Sequence, residues 1–237
     1  MKRHRSVSGL RIKVATRRSK LSIRQVEIVL KVLRNKFPEL DAELVFVETK
    51  GDVHGDLPPA MIGSKGIFEK EVNLAVLRGE ADMAVHSMKD VPSEVSEGLV
   101  LGAVLPRESP LEVLVSKGRT RLVELPGGAV VGTSSVRRRA ALLCLKPDLR
   151  IEQLRGNIDT RIRKLEAGMY DAILTAEAGL RRLGFNGSIA QVFTPEEITP
   201  APCQGAIGVY ARKDDDRVLK ILKEVDEHKT GIEVTVG

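Results

Sequence analysis

The sequence predicts an α/β protein with two lobes, and three observations support this. Strand and helix patterns alternate at least five times, which favours an α/β fold over separate sheet and helical regions. The chain has 237 residues, enough for a large core and slightly more typical of two domains than of one. Two proline-containing segments, "PRESP" at 106–110 and "TPEEITPAPCQGA" at 194–206, predict two crossings between the lobes.

The first lobe is predicted from segments of strand and helix periodicity. Segment 10–16, "LRIKVAT", alternates like a strand, and segment 19–37 carries its apolar residues largely along one helical face. Further strands are predicted at 43–49, 81–87 and 99–105, and a second helix at 67–79. Residues 50–66 hold four glycines and two adjacent prolines, and a loop of that length is usually a functional lid or disordered.

Beyond the first crossing the alternation starts again. A strand is predicted in "LEVLVS" (111–116), and a strand followed by a helix in each of "AVVGTSSVRRRAALLCL" (129–145), "LRIEQLRGNIDTRIRKLEAG" (149–168) and "YDAILTAEAGLRRLG" (170–184). After the second crossing, "IGVYARK" predicts a strand and "DDDRVLKILKEVDEH" a capped helix.

Composition excludes several classes of protein. With 42% hydrophobic and 30% charged residues, the chain has neither a disordered composition nor an apolar run of about 18 residues that could span a bilayer. The basic N-terminus lacks the apolar stretch of a secretory signal, so we expect a cytoplasmic protein. Cys144, expected in the core, and Cys203 lack the spacing of a disulfide framework or a zinc site. His54 and His86 show no ligand spacing, so we expect no metal.

The net charge of +6 raises the question of a nucleic-acid partner, because phosphate neutralisation dominates that affinity. However, no zinc-finger or RNP pattern is visible, and without Trp and with two Tyr and five Phe there is little to stack on bases. A small polyanion is at least as good a partner, and a nucleic-acid binder is kept as a third, weaker hypothesis.

The positive charges collect where predicted strands end, which is where ligands bind in an open parallel sheet. Gly132 to Ser135 form a strand-to-helix turn whose N–H groups and hydroxyls can hold an anion, with Arg137 and Arg138 in the first helical turn. The other strand-end residues are Arg17, Ser19, Arg155, Arg161, Arg181 and Arg182. Arginine forks that converge from several loops imply a ligand with several carboxylates.

The stretch "HSMKDVP" ends a strand of the first lobe with Lys89 and Asp90. Read alone, it is typical of a solvated turn. Set among the strand-end arginines, Asp90 is a carboxylate held ionised by cations, able to attract N–H donors or a developing cation. It is therefore the strong candidate for chemistry in a cationic cleft.

Six motifs together resemble the porphobilinogen deaminase, or hydroxymethylbilane synthase, family. They are "ATRRS", "HSMKDVP", "GTSSVRR", "LRGNIDTR", "DAILTAEAGLRRLG" and "PAPCQGAIG", in order and with compatible spacing from about Leu10 to about Thr235. The resemblance implies two lobes of the type II periplasmic-binding-protein kind and a small third α+β domain. It implies a transferase of haem and tetrapyrrole biosynthesis that links four porphobilinogen molecules head to tail, with release of ammonia, on a covalent dipyrromethane primer.

The resemblance also implies roles for residues at matching positions. Asp90 would be catalytic, hydrogen-bonding pyrrole N–H groups and stabilising the cation formed when ammonia leaves. The implied ligands of primer, substrate and growing chain are Arg17, Ser19, Lys89, Thr133, Ser134, Ser135, Arg137, Arg138, Arg155, Gly156, Arg161, Arg182 and Gln204. Lys65 and Phe68 match the family's lid, where Met61 replaces a common lysine.

The chain departs from the family at the primer. Family members attach it to a cysteine in a "GGCQVPI"-like loop of the third domain, and we expect no such residue in this chain. Cys203 stands where the motif has glycine, and we do not expect it to serve as a substitute. The implied limits are lobe 1 at 1–105 plus 200–222, lobe 2 at 106–199 and a truncated third domain from 223 to 237. We expect a monomer that is either a shortened gene product or acts with a separate third-domain chain, and no nucleic acid or membrane. A non-catalytic module for pyrrole carboxylates or other small polyanions is the alternative function.

Overall fold

The computed structural model describes residues 10–48, 69–92 and 96–236, which form two five-stranded sheets with helices packed on them. The strands are β1 (Arg11–Thr16), β2 (Asp41–Phe46), β3 (Met83–Ser87), β4 (Leu99–Val104), β5 (Glu112–Ser116), β6 (Val130–Gly132), β7 (Arg150–Glu152), β8 (Ala172–Ala176), β9 (Ile189–Val192) and β10 (Ile207–Arg212). The helices are α1 (Lys20–Lys36), α2 (Lys70–Leu77), α3 (Val136–Leu145), α4 (Ile158–Glu166), α5 (Glu177–Arg182), α6 (Asp216–Lys223) and α7 (His228–Val236).

The first sheet has the order β2-β1-β3-β10-β4. Strands β1, β2 and β3 are parallel, and β10 lies between β3 and β4 and is antiparallel to both. Apolar side chains cover both faces, with α1 and α6 packed on one and α2 on the other. The carboxyl ends of β1 and β3 consequently lie side by side at one edge of the sheet.

The second sheet repeats this plan with the order β7-β6-β8-β5-β9. Strands β6, β7 and β8 are parallel, and β5 lies between β8 and β9 and is antiparallel to both. Each sheet therefore contains one antiparallel strand that directly follows a crossing of the chain from the other lobe. The predicted α/β fold with two lobes is confirmed.

The two crossings lie against each other between the sheets. The Gln204 side-chain amide donates to the Pro110 carbonyl oxygen at 2.6 Å, and the Glu108 backbone N–H donates to the Gly205 carbonyl oxygen at 3.2 Å. Gly205 has a φ of +93°, and a Cβ there would overlap the Glu108 carbonyl oxygen. Only glycine fits this backbone path.

Most predicted elements agree with the structure to within a few residues, including the α6 cap, where Asp215 accepts from the Val218 N–H at 3.1 Å. The short strand β9 and the helix α7 were not predicted. The expectation that Cys144 is in the core is wrong, because its side chain is exposed. Helix α3 buries Arg138 and Leu142, one turn apart, and Cys144 lies on the opposite side of the helix.

Among the described residues, no helix has both the length and the apolar character needed to cross a membrane. The limits proposed for the domains, including a third domain from residue 223, stay a prediction. In the structure, α7 lies beside the first crossing, where Arg107 contacts Glu233 at 2.8 Å and the Arg107 N–H donates to Thr230.

Candidate functional site

A cavity of about 510 Å³ lies between the two lobes, at the carboxyl ends of the parallel strands. From the first lobe, Arg17 follows β1 and Asp90 follows β3; from the second, Ser134 follows β6 and Arg155 follows β7. Cavities of several hundred Å³ at such strand ends are typical sites for small ligands.

The cavity wall carries more positive than negative side chains. Its cations are Arg17, Lys89, Arg138, Arg155, Arg161 and Arg182, and its carboxylates are Glu69, Asp90 and Asp159. Asp159 is 3.6 Å from Lys20, so this ion pair compensates part of the Asp159 charge. The described part of the wall thus suits a ligand with several carboxylates.

Asp90 and Lys89 lie in a single 3₁₀ turn, Met88–Asp90, that follows β3. Met88 is buried and fixes the turn from below, with Tyr210 Oη 3.7 Å from its Sδ. Asp90 and Lys89 themselves are exposed to the cavity between the lobes. The proline that follows, Pro92, prevents the turn from continuing as a helix.

Lys89 is held by the chain that crosses between the lobes. Its Nζ donates to Gln204 Oε1 at 3.2 Å, and Gln204 is itself buried. The Lys89 side chain borders the cavity but is enclosed between the two lobes, and this desolvation lowers its pKa below the usual 10.5. The nearby Asp90 raises the pKa of Lys89, and Arg138 lowers it further. A bound carboxylate would therefore stabilise the protonated form of Lys89.

His86 lies behind this turn and is buried. Its Nε2 is 2.8 Å from Asn73 Oδ1, and its ring packs edge-on against Tyr210. Burial, with a smaller effect of Arg17, lowers the pKa of His86 to about 4, so the ring is neutral near pH 7. No cluster of potential metal ligands occurs among residues 10–48, 69–92 and 96–236.

In the second lobe, backbone carbonyls fix several of the cavity residues. Arg161 Nε donates to the Gly156 oxygen at 2.7 Å, and Ser134 Oγ donates to the Leu154 oxygen at 2.8 Å. Arg182 reaches the crossing, where it donates to the Gly205 oxygen at 2.6 Å. Burial lowers the pKa of both arginines, and at Arg161 the nearby Arg138 adds to this effect. A guanidinium is so weakly acidic that both side chains stay charged at pH 7.

A buried glutamate, missed in the sequence, organises the arginines at the start of α3. Glu112, the first residue of β5, accepts a hydrogen bond from Arg137 through Oε1 and forms an ion pair with Arg138 through Oε2 at 2.8 Å. Burial raises the pKa of Glu112, but Arg138 and then Arg137 outweigh it, so the net pKa is lowered. The available signal in the sequence was a carboxylate directly before three apolar strand residues, Val113 to Val115.

The structure does not bring every predicted site residue to the cavity. Thr133, Ser135 and Arg137 do not line it: Thr133 is buried, Ser135 caps α3, and Arg137 is engaged by Glu112. Their role as ligands stays a prediction. Arg181, one residue before Arg182, also lies outside the cavity and pairs with Glu177 at 2.6 Å.

The remaining predicted residues are Ser19, Gly156 and Gln204, all of which line the cavity. Ser19 additionally caps α1, accepting from the Ser22 N–H at 3.2 Å. The lid residues Lys65 and Phe68, together with Met61 and His54, lie outside the described residues.

A family model described as "Porphobilinogen deaminase, dipyromethane cofactor binding domain" matches residues 12–220. A probable porphobilinogen deaminase from Hyperthermus butylicus is 52% identical to this chain over 222 residues, covering 93% of the chain and 73% of the relative. A porphobilinogen deaminase from Brevibacillus brevis is 48% identical over 224 residues, covering 94% and 72%.

Solved structures of low sequence identity share the fold. A putative methionine-binding lipoprotein from Bacillus subtilis is 16% identical, with a TM-score of 0.57 over 93% of this chain and 92% of its own. The methionine-binding protein MetQ is also 16% identical, with a TM-score of 0.53 over 96% of each chain. These similarities identify the type II periplasmic-binding-protein fold.

Proposed function

This chain belongs to the porphobilinogen deaminase family, and from that premise we propose that the cavity between its lobes is where porphobilinogen is bound and joined. The enzyme is a transferase of tetrapyrrole biosynthesis that links four porphobilinogen molecules head to tail and releases ammonia. The supporting observation is that six cations and Asp90 face one cavity, because the substrate combines acetate and propionate groups with a reacting pyrrole.

Asp90 is proposed to act on the reacting ring. The bond between the aminomethyl carbon and its protonated nitrogen breaks, the electron pair leaves with ammonia, and positive charge spreads over the pyrrole. The Asp90 carboxylate stabilises this cation and accepts a hydrogen bond from the pyrrole N–H. The free α-carbon of a neighbouring pyrrole then forms a bond to the methylene carbon and loses its proton.

The cations are proposed to bind and orient the ring substituents. The proposed ligands of the acetate and propionate groups are Arg17, Ser19, Lys89, Ser134, Arg138, Arg155, Gly156, Arg161 and Arg182. Arginine forks hold carboxylates in a fixed geometry, so the two reacting carbons are brought together instead of meeting by diffusion.

The family's dipyrromethane cofactor fits the same wall. Its rings carry acetate and propionate groups, and the cations of the second lobe, Arg138, Arg155 and Arg161 among them, would hold these. When bound, the cofactor supplies the pyrrole carbon to which the first substrate is joined. The native mass of the purified protein tests this: we expect one dipyrromethane, carried on the protein or on a third-domain chain bound to it. A native mass without dipyrromethane, together with no bilane formation even when the C-terminal region is supplied, would contradict the proposal.

The finer assignments are also proposals. We propose that the tetrapyrrole serves haem synthesis, that the protein is a cytoplasmic monomer, and that a third-domain chain acts with it. The cation-lined cavity lies within one chain, which supports a site complete without a second copy. Sedimentation at several protein concentrations would detect a dimer, which would contradict the monomer.

Asp90→Asn is expected to keep porphobilinogen binding within about threefold but to reduce ammonia release by at least about a thousandfold, because the neutral amide cannot stabilise the developing cation. Calorimetry measures binding, and an ammonia assay measures turnover. Asp148→Asn, which changes an exposed carboxylate on the second lobe, is the matched control and should resemble the unaltered protein. Equal turnover in the Asp90 variant would refute its role.

A further inference from the structure

Glu112 is a fully buried carboxylate whose partners belong to the cavity helix. Its side chain has 0% exposure, whereas the side chains of Arg137 and Arg138 are 32% and 9% exposed. A buried charge without partners would be very unfavourable, so the two arginines are what permits Glu112 to lie there as an anion. The three residues form one unit, called here the Glu112 cluster.

The two arginines of the Glu112 cluster face different surroundings. Arg137 donates to the Thr199 carbonyl oxygen as well as to Glu112 and does not border the cavity. Arg138 borders the cavity, and its other contact is a long hydrogen bond of 3.4 Å from NH1 to the Leu174 oxygen. The ion pair of 2.8 Å to Glu112 is thus the strongest restraint on the Arg138 guanidinium.

We propose that Glu112 is a positioning residue of the binding cavity: its carboxylate fixes the Arg138 guanidinium in the wall, where the ligand's carboxylates are bound. This inference rests on the proposed function of the cavity. It differs from that proposal because Glu112 does not border the cavity and acts only through Arg138.

The charge of Glu112 reaches Lys89 as well. The groups that face Lys89 are Asp90 of its own turn, Arg138 of α3, Glu112 of β5, Arg161 of α4 and the Gln204 amide oxygen of the crossing. After burial, which lowers the pKa of Lys89 most, Asp90 and Glu112 raise it, and Arg138 and Arg161 lower it. Without the Glu112 charge, the Arg138 cation would act on Lys89 uncompensated.

Glu112→Gln removes the charge and keeps the shape, so it separates positioning from packing. We expect porphobilinogen affinity near pH 7 to fall about tenfold, because Arg138 loses its ion-pair partner. The rate of the bound complex should change less, because Asp90 is untouched. We also expect affinity to start falling at a lower pH on the alkaline side, since Lys89 loses its proton more readily. Glu112→Asp keeps the charge and should restore the pH at which porphobilinogen affinity starts to fall on the alkaline side.

Glu177→Gln is the matched control. Glu177 is a carboxylate of the same lobe with 5% side-chain exposure, paired with Arg181 and accepting from Ser109, and it does not border the cavity. The Glu177→Gln variant should be less stable, but its porphobilinogen affinity should start to fall at the same alkaline pH as in the unaltered protein. If neither glutamine variant changes the alkaline pH at which affinity starts to fall, Glu112 has only a structural role and the inference is overturned.

A measurement without substrate separates this inference from the proposed function. The pH dependence of Lys89 acetylation, read by mass spectrometry after brief competitive labelling, reports its pKa in the free protein. We expect the labelling curve of Glu112→Gln to shift to lower pH, while that of Glu177→Gln does not. An unshifted curve overturns the role of Glu112, whereas a wild-type protein that fails to bind porphobilinogen overturns the proposed function instead.

Discussion

Lys89 is proposed to bind a ligand carboxylate through its positive charge, yet its surroundings disfavour the protonated form. Enclosure between the lobes lowers its pKa, and the nearby Arg138 lowers it further, whereas Asp90 and Glu112 act in the opposite direction. Ligand carboxylates would raise this pKa again. Binding should therefore take up a proton at alkaline pH, so affinity is greatest below the free-protein pKa and falls above it.

Lys89→Arg tests this sign directly. Porphobilinogen affinity of the unaltered protein should fall by about tenfold as the pH rises towards 10.5, the reference value that Lys89 is shifted below, because one charge-assisted contact is lost. An arginine stays protonated over this range, so the variant should show a flat profile. Calorimetry from pH 7 to 10 measures both, and an equal decline in the variant would show that another group titrates.

At the scale of the element, the crossings depend on a backbone path that a side chain would block. Gly205→Ala should lower the free energy of unfolding by at least about 2 kcal/mol, because its Cβ meets the Glu108 carbonyl and its φ is positive. Denaturant unfolding measures the change.

Gly184→Ala is the control for the crossing. It shares a positive φ of +78°, but no atom lies within 4 Å of its Cβ position. It should cost only the backbone strain of about 1 kcal/mol. If both variants lose the same free energy of unfolding, the close contact between the crossings does not contribute to stability.

Periodicity predicted most elements because burial on one or both faces fixes the spacing of apolar residues. Helix α1 buries Val26, Val29 and Leu33, the pattern that a helix packed on a sheet requires. Strand β9 has only four residues, none buried, so it carries no such pattern. In α3 the buried positions include an arginine, and its pairing with Glu112 replaces the apolar contact that the pattern assumes.

At the scale of the whole molecule, the sequence predicted two lobes and a cationic cavity but not which residues meet across it. Strand ends identify candidates, and Arg17, Asp90 and Arg155 do border the cavity. Glu112 could not be assigned, because its partners lie 25 and 26 positions along the chain and only the sheet order brings them together. Long-range electrostatic pairing is set by topology, which local patterns do not encode.

The position of β10 in the first sheet has a consequence for folding during synthesis. Strand β10 fills the gap between β3 and β4, yet about a hundred residues of the second lobe are translated before it. During synthesis on the ribosome, the facing backbone groups of β3 and β4 therefore stay without their strand partner until Ile207–Arg212 has been translated. The second lobe, whose five strands are consecutive from β5 to β9, can close first, so folding should run against the direction of synthesis.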